Sequence, residues 1–152
     1  SAKMSETVWI RSYIVEKTIH ESSKEQAAPS VLDLLLGKDV VDVSKNLPTA
    51  KYEVPRLSKA AGAPVVFTLQ ALPYGRTQDM KRLTQDSEVQ ILLAGCVDPD
   101  LKAAPLQSKF GGVTPAETLK AMLLPGEIAD LSAAVERLSG YRRITIEEVK
   151  NA

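Results

Sequence analysis

The sequence predicts an α+β protein that is mainly α, an N-terminal β-hairpin or small antiparallel sheet packed on a C-terminal bundle of short helices. Three observations predict it. Residues 52–57 and 65–72 are two β-type runs with turn residues between them. The second half carries repeated helix punctuation in Thr114-Pro115-Ala116-Glu117, Pro125 and Gly140. A chain of 152 residues, 44% hydrophobic and 25% charged, is long enough to bury a core and ordinary for a globular protein. The polar stretch before residue 30 suggests a division. Residues 1–28 form an extension, and residues 29–152 form one domain with a hairpin-containing lobe (29–86) and a helical lobe (87–152).

Residues 7–19, TVWIRSYIVEKTI, are β-branched and aromatic, which favours a strand, with a helix through Trp9, Ile10, Tyr13 and Ile14 as the alternative. Residues 22–30 have little to bury and form a linker. Ser30 caps a short helix, with Asp33 at its third position and Gly37 at its stop. Over residues 40–47 the valines favour a strand, and Pro48 ends whatever precedes it. The hairpin comes next, its strands joined by a seven-residue loop over residues 58–64. Val65, Phe67, Leu69 and Ala71 lie on the buried face, and Pro55 must sit at an edge or bulge. Thr77 opens a helix reaching Leu83. Ser87 opens another through Val89, Leu92, Leu93 and Cys96, closed by Asp98-Pro99.

The helical corner beyond is written in residue types. Thr114 is an N-cap, Pro115 the first helical residue, where its missing N–H costs nothing, and Glu117 closes a capping box. Leu119, Met122 and Leu123 make one apolar stripe while Lys120 stays wet. Pro125 opens a second helix. Its Ile128, Leu131, Val135 and Leu138 face the core, Glu127 and Asp130 lie at its positive end, Arg137 at its negative end, and Gly140 stops it. Two helices joined so tightly cannot bury their stripe alone, so they need apolar supply from Leu101, Leu106 and Phe110 upstream and from Ile144, Ile146 and Val149 downstream. Thr145 with Glu148 is a second capping box and predicts a last short helix.

Little points to chemistry. Nineteen basic residues balance nineteen acidic ones, so net charge gives no reason to expect nucleic acid or an anionic membrane as partner. No apolar run is long enough to span a bilayer, and the N-terminus lacks a secretory pattern, so a soluble protein is expected. Cys96, the sole cysteine, stands in an apolar run and reads as a buried thiol in a reducing compartment. It is some seventy-five residues from the sole histidine, His20, which reads as a surface residue, so neither a Cys–His pair nor a metal site is expected. Gly111-Gly112 has no P-loop spacing and no following lysine, which favours a tight turn over a phosphate loop. Asp98 and Asp100 read as turn and cap residues. No catalytic residue, cofactor or metal is expected.

An ordered set of residues carries a resemblance. Val97 is followed by Pro99-Asp100-Leu101, Leu106-Gln107, Phe110-Gly111, Glu117, Leu119-Lys120, the run Met122-Leu123-Leu124-Pro125-Gly126-Glu127, Asp130-Leu131, Gly140 and Val149-Lys150-Asn151. It resembles the XkdN-like tail assembly chaperones of phages and phage-like elements, closely over residues 88–152 and loosely over 31–82. The resemblance implies a non-enzymatic protein of the bacterial host cytoplasm that binds the tape-measure protein during tail assembly, with the tail tube protein as a second partner. Self-association is a further expectation, and a structural component retained in the particle is the alternative. A Leu-Pro-Gly turn leaves a large side chain hard to bury, so the expected protein-binding residues are Leu123, Leu124, Pro125, Gly126 and Ile128.

Overall fold

The computed structural model describes residues 28–150. The strand expected over residues 7–19, His20 and most of the linker lie outside them. The chain divides into two compact units, Ser1–Val41 and Asp42–Ala152.

The described part of the first unit holds helix α1 (Val31–Leu35). Its start is as expected. The Ser30 hydroxyl accepts from the Asp33 N–H at 3.1 Å, and the Asp33 carboxylate accepts from the Ser30 N–H at 3.4 Å, so two backbone donors that a helix start leaves open are satisfied reciprocally. None of its residues is buried.

The second unit runs β1 (Thr49–Glu53), α2 (Pro55–Ala61), β2 (Val66–Gln70), α3 (Tyr74–Lys81), α4 (Ser87–Gly95), β3 (Cys96–Asp98), α5 (Ala104–Phe110), α6 (Pro115–Met122) and α7 (Pro125–Leu138). The valine run over residues 40–47 forms turns instead of a strand. Asp42 competes for the backbone there, its carboxylate accepting from the Ser44 N–H at 2.9 Å.

β1 and β2 pair antiparallel, from Thr49 opposite Gln70 to Glu53 opposite Val66; β2 lies within the expected second strand, whereas β1 shares only Tyr52 and Glu53 with the run expected over residues 52–57. Their connection is different from the expected loop. β1 starts at Thr49 and ends at Glu53, and Pro55 opens a two-turn helix in place of an edge-strand position. The physical reason is the one that serves Pro115: a fixed φ and an absent N–H suit the first helical residue and would break a ladder. Gly62, at φ 74°, ends α2 in the left-handed region. The Ser58 hydroxyl then accepts from the Val65 N–H at 2.8 Å, drawing the chain into β2.

Three further expectations are corrected. Helix α3 begins at Tyr74, and Thr77, expected as its start, lies inside it, donating its hydroxyl proton back to the Tyr74 carbonyl at 2.8 Å. Helix α4 stops at Gly95. Cys96 and Asp98, expected at the end of that helix, belong to β3, which pairs with the free side of β2 and makes the sheet order β1-β2-β3. Thr68 pairs with Asp98 and Leu69 with Cys96, so Val97 is the extra residue of a bulge and half its surface faces out. Residues 88–152 are therefore not purely helical. Last, residues 144–149 form no helix, and Ile144, Ile146 and Val149, expected as apolar supply, are 74–89% exposed.

The core is made without those three. Phe67 and Leu69 project from β2 against Leu92 of α4, Leu119 of α6 and Val135 of α7, all at most 1% exposed. Burying each contributes about 1.5–3 kcal/mol. Leu101 closes the cluster from upstream, with Leu106 half-buried beside it. Leu93 and Leu138, expected in the core, are half-buried on its margin. Gly140 at φ 92° ends α7 with a Schellman pair, Tyr141 N–H to Glu136 carbonyl at 2.9 Å and Gly140 N–H to Arg137 carbonyl at 3.0 Å, and this turn directs the chain away from the core.

Gly95 is where α4, α7 and β2 meet most closely. A Cβ there would stand 2.6 Å from both methyls of Val135 and 3.2 Å from the Gln70 carbonyl oxygen. Gly95→Ala is expected to cost about 1–3 kcal/mol by overpacking, although alanine is the better helix former. Gly126→Ala, which meets nothing within 4 Å, should be neutral or stabilising by up to about 1 kcal/mol. Leu131→Ala should cost about 2–5 kcal/mol. Urea melts of the three variants check this, and equal midpoints for Gly95→Ala and Gly126→Ala would remove the close approach.

Candidate protein-binding surface

Helices α6 and α7 are separated by only Leu123 and Leu124, both extended, at ψ 145° and 151°. A corner this tight leaves the last carbonyls of one helix and the first N–H groups of the next without helical partners. Arg56 of α2 and Glu127 of α7 satisfy one of each. The Arg56 Nη2 donates to the Met122 carbonyl at 2.9 Å, and Glu127 Oε1 accepts from the Leu124 N–H at 2.8 Å. The two side chains also bind each other as a fork, Nε to the two carboxylate oxygens at 3.0 and 3.1 Å and Nη2 to Oε1 at 2.8 Å. The guanidinium holds the Glu127 carboxyl below the usual carboxylate range, against a smaller opposing effect of partial burial. The same pair raises the Arg56 pKa.

This clamp decides how the five expected binding residues are presented. Leu123 and Ile128 turn inward and are 3% and 5% exposed, part of the core. Leu124 is 54% exposed, and Pro125 and Gly126 lie on the surface beside it. The corner thus shows solvent one large apolar side chain on a pinned backbone. Sequence reasoning missed Arg56, which lies 71 positions from its partner and carries no local signal. The three-residue step from Leu124 to Glu127 was the available clue to the other half.

A second apolar feature is a cleft of about 540 Å³ between α3, α4 and the C-terminal end of α7. Leu72, Met80, Leu83, Ile91 and Val135 line it, with Tyr141 and Arg142 at its rim. The Lys81 ammonium stands 4.9 Å from the centre of the Tyr141 ring. The Tyr141 hydroxyl donates to the Thr77 Oγ1 at 3.4 Å.

The residues weighed for chemistry take structural parts. Burial pushes the Cys96 thiol up to about 11, so it stays protonated near neutrality, and its sulfur donates to the Pro99 carbonyl at 3.4 Å. Asp100 makes an Asx turn, accepting from the Lys102 N–H at 3.0 Å. Gly111 and Gly112, at φ 79° and 96°, form the expected tight turn. A Cβ on Gly112 would meet that of Glu117 at 2.7 Å. The Glu117 carboxylate accepts from the Val113 N–H at 2.6 Å, so the anion at the start of α6 is the chain's own side chain. Its N-cap, Thr114, accepts from the Glu117 N–H at 3.3 Å, as expected, but the expected capping box is not closed, because the Glu117 carboxylate takes the N–H of Val113 and not that of Thr114. No group of three His, Cys, Asp or Glu side chains suited to a metal ion, and no helix long and apolar enough to cross a membrane, occurs among the described residues.

The molecule is therefore a small α+β protein of seven helices and a three-stranded antiparallel sheet among its described residues, offering apolar contact at a pinned corner and a cleft. Residues 78–152, just under half of the chain, match the family model of phage XkdN-like tail assembly chaperone proteins. The match starts inside α3 and takes in the corner and most of the cleft. Among solved structures, the crystal structure of the protein yqbn has a similar fold, with a TM-score of 0.53 and 20% identity over 76% of this chain and 99% of that one. No curated protein sequence matches.

The clamp makes the corner acid-sensitive. A carboxyl whose folded pKa is depressed contributes stability above its unfolded pKa, about 4.3, and loses it as pH falls through the folded value. Glu127→Gln should therefore lower stability at pH 7, and its deficit against wild type should shrink toward pH 3. Urea midpoints at the two pH values measure this, and a deficit independent of pH would remove the ionised carboxylate from the account.

Proposed function

We propose that this protein is a non-enzymatic phage or prophage tail assembly chaperone that acts in the host cytoplasm. It binds the tape-measure protein, with the tail tube protein as second partner, and holds them soluble until the tail assembles. The observation that carries the reading is the family match over residues 78–152. Leu124 supports the contact. It is exposed on a backbone fixed by Arg56 and Glu127, and an apolar side chain held in place loses little freedom when a partner helix covers it. Holding an aggregation-prone helix needs binding and no work, so no nucleotide or metal site is required. The surface used is the corner at Leu123, Leu124, Pro125, Gly126 and Ile128. Leu124 makes the contact, Pro125 and Gly126 border it, and Leu123 and Ile128 brace it from the core.

Co-expression with the tape-measure protein of the same gene cluster should keep that partner soluble and allow the two to be purified together. An apolar contact should survive salt that abolishes a phosphate-type interaction. Leu124→Asp should weaken capture at least about tenfold, or about 1.4 kcal/mol, with an unchanged thermal midpoint. A tape-measure protein equally soluble with and without this chain would overturn the chaperone reading, whereas normal capture by Leu124→Asp would move the contact off the corner. Mass spectrometry of finished tails separates a chaperone, which should be missing, from a retained tail component.

A further inference from the structure

The cleft and the segment that leaves its rim are complementary. The cleft offers an apolar floor of Leu72, Met80, Leu83, Ile91 and Val135, with the Lys81 ammonium on its wall. The chain crosses the rim at Tyr141 and Arg142 and continues as Arg143-Ile144-Thr145-Ile146-Glu147-Glu148-Val149, with its three apolar side chains 74–89% exposed. Glu147 and Glu148 carry the charge opposite to Lys81, while Glu136 and Arg142, which also line the cleft, neutralise each other as an ion pair. Thr145 followed by Glu148 is a helix start that the free segment leaves unused, and Ile146 and Val149 would share one face of a turn begun there.

We propose that two copies of this chain exchange these arms, residues 143–149 of each lying in the cleft of the other. The arm's own cleft is the poorer seat. Gly140 and Arg142 both hold left-handed backbone, at φ 92° and 62°, and the Arg142 guanidinium is tied to the Glu136 carboxylate on α7, which fixes the exit. Ile144 is two residues past the rim, within about 7 Å of Arg142 along the chain, and is nevertheless 89% exposed. Filling its own groove would require that exit to be undone. Filling a neighbour's would not. Because arm and cleft adjoin on one chain, reciprocal exchange pairs the same patch with itself about a twofold axis and closes at two copies, leaving neither arm nor cleft open. The exchange involves the second unit alone and does not depend on the chaperone reading.

Sedimentation equilibrium of the full chain tests it. A monomer–dimer equilibrium is expected, and Ile144→Asp with Ile146→Asp on the arm, or Leu83→Asp in the cleft, should each weaken it at least about tenfold. Leu83 is 40% exposed, so its variant is expected to fold, and circular dichroism melts check that all variants do. Mixing the arm variant with the cleft variant restores one of the two contacts and should give a tighter dimer than either variant forms alone. In a Cys96→Ser background, a chain with Leu83→Cys and one with Ile146→Cys should form a disulfide between copies. A monomer at every concentration, a dimer indifferent to both sets of substitutions, or a disulfide formed only within a chain carrying both cysteines would each overturn the exchange.

Discussion

With no Cβ at position 95, the end of α4 reaches the two methyls of Val135 and the Gln70 carbonyl at once, and the second unit is built around that approach. It sets α7 against α4 and lays both across the end of β2. Helix α4 must stop there, since the next residue turns to extended backbone at φ −90° and ψ 117°. The chain that follows takes up the free hydrogen-bonding side of β2 as β3. A single missing methyl group thus connects the helix packing to the completion of the sheet.

A second constraint acts at the opposite end of the helical layer. The corner between α6 and α7 is so short that backbone groups on both sides lack partners, and the Arg56–Glu127 fork satisfies two of them. Arg56 belongs to the helix inserted between β1 and β2, so the hairpin connection braces the helical corner. The corner in turn drives Leu123 and Ile128 inward and leaves Leu124 outside. The same local shortage of partners therefore shapes the core and the surface by which we propose the protein binds.

The family relationship and the physical reading bear on different parts of the chain. The matched residues, 78–152, contain α4 to α7 but not Arg56, Phe67 or Leu69. The matched helices are completed by a strand and a brace contributed from outside the match. The cleft likewise joins Leu72, at the end of β2, to residues of the matched region.

Much was legible where the signal is local. Ser30 with Asp33, Thr114 with Pro115 and Glu117, Pro125 at a helix start, Gly140 at a helix end and the alternation Phe67, Leu69, Ala71 each depend on neighbours within a few residues, so residue types suffice. Pro55 was legible in principle, but a proline in a β-branched run fits an edge strand as well as a helix start, and only the pairing of Glu53 with Val66 separates the two. What the sequence could not specify was decided by competition for space and partners across long separations. Arg56 meets Glu127 across 71 positions, β3 forms because β2 has a free edge, and Leu93 and Leu138 rest on the margin because Leu92 and Val135 fill the centre. Ile144, Ile146 and Val149 carry a helix start and enough apolar surface to join a core, yet the backbone turn at Gly140 and Arg142, tied down by Glu136, carries them away from it. Sequence by itself determined which elements could form, through propensity and capping. The tertiary structure decided which of them found room, because burial is a property of the filled volume and not of the segment that seeks it.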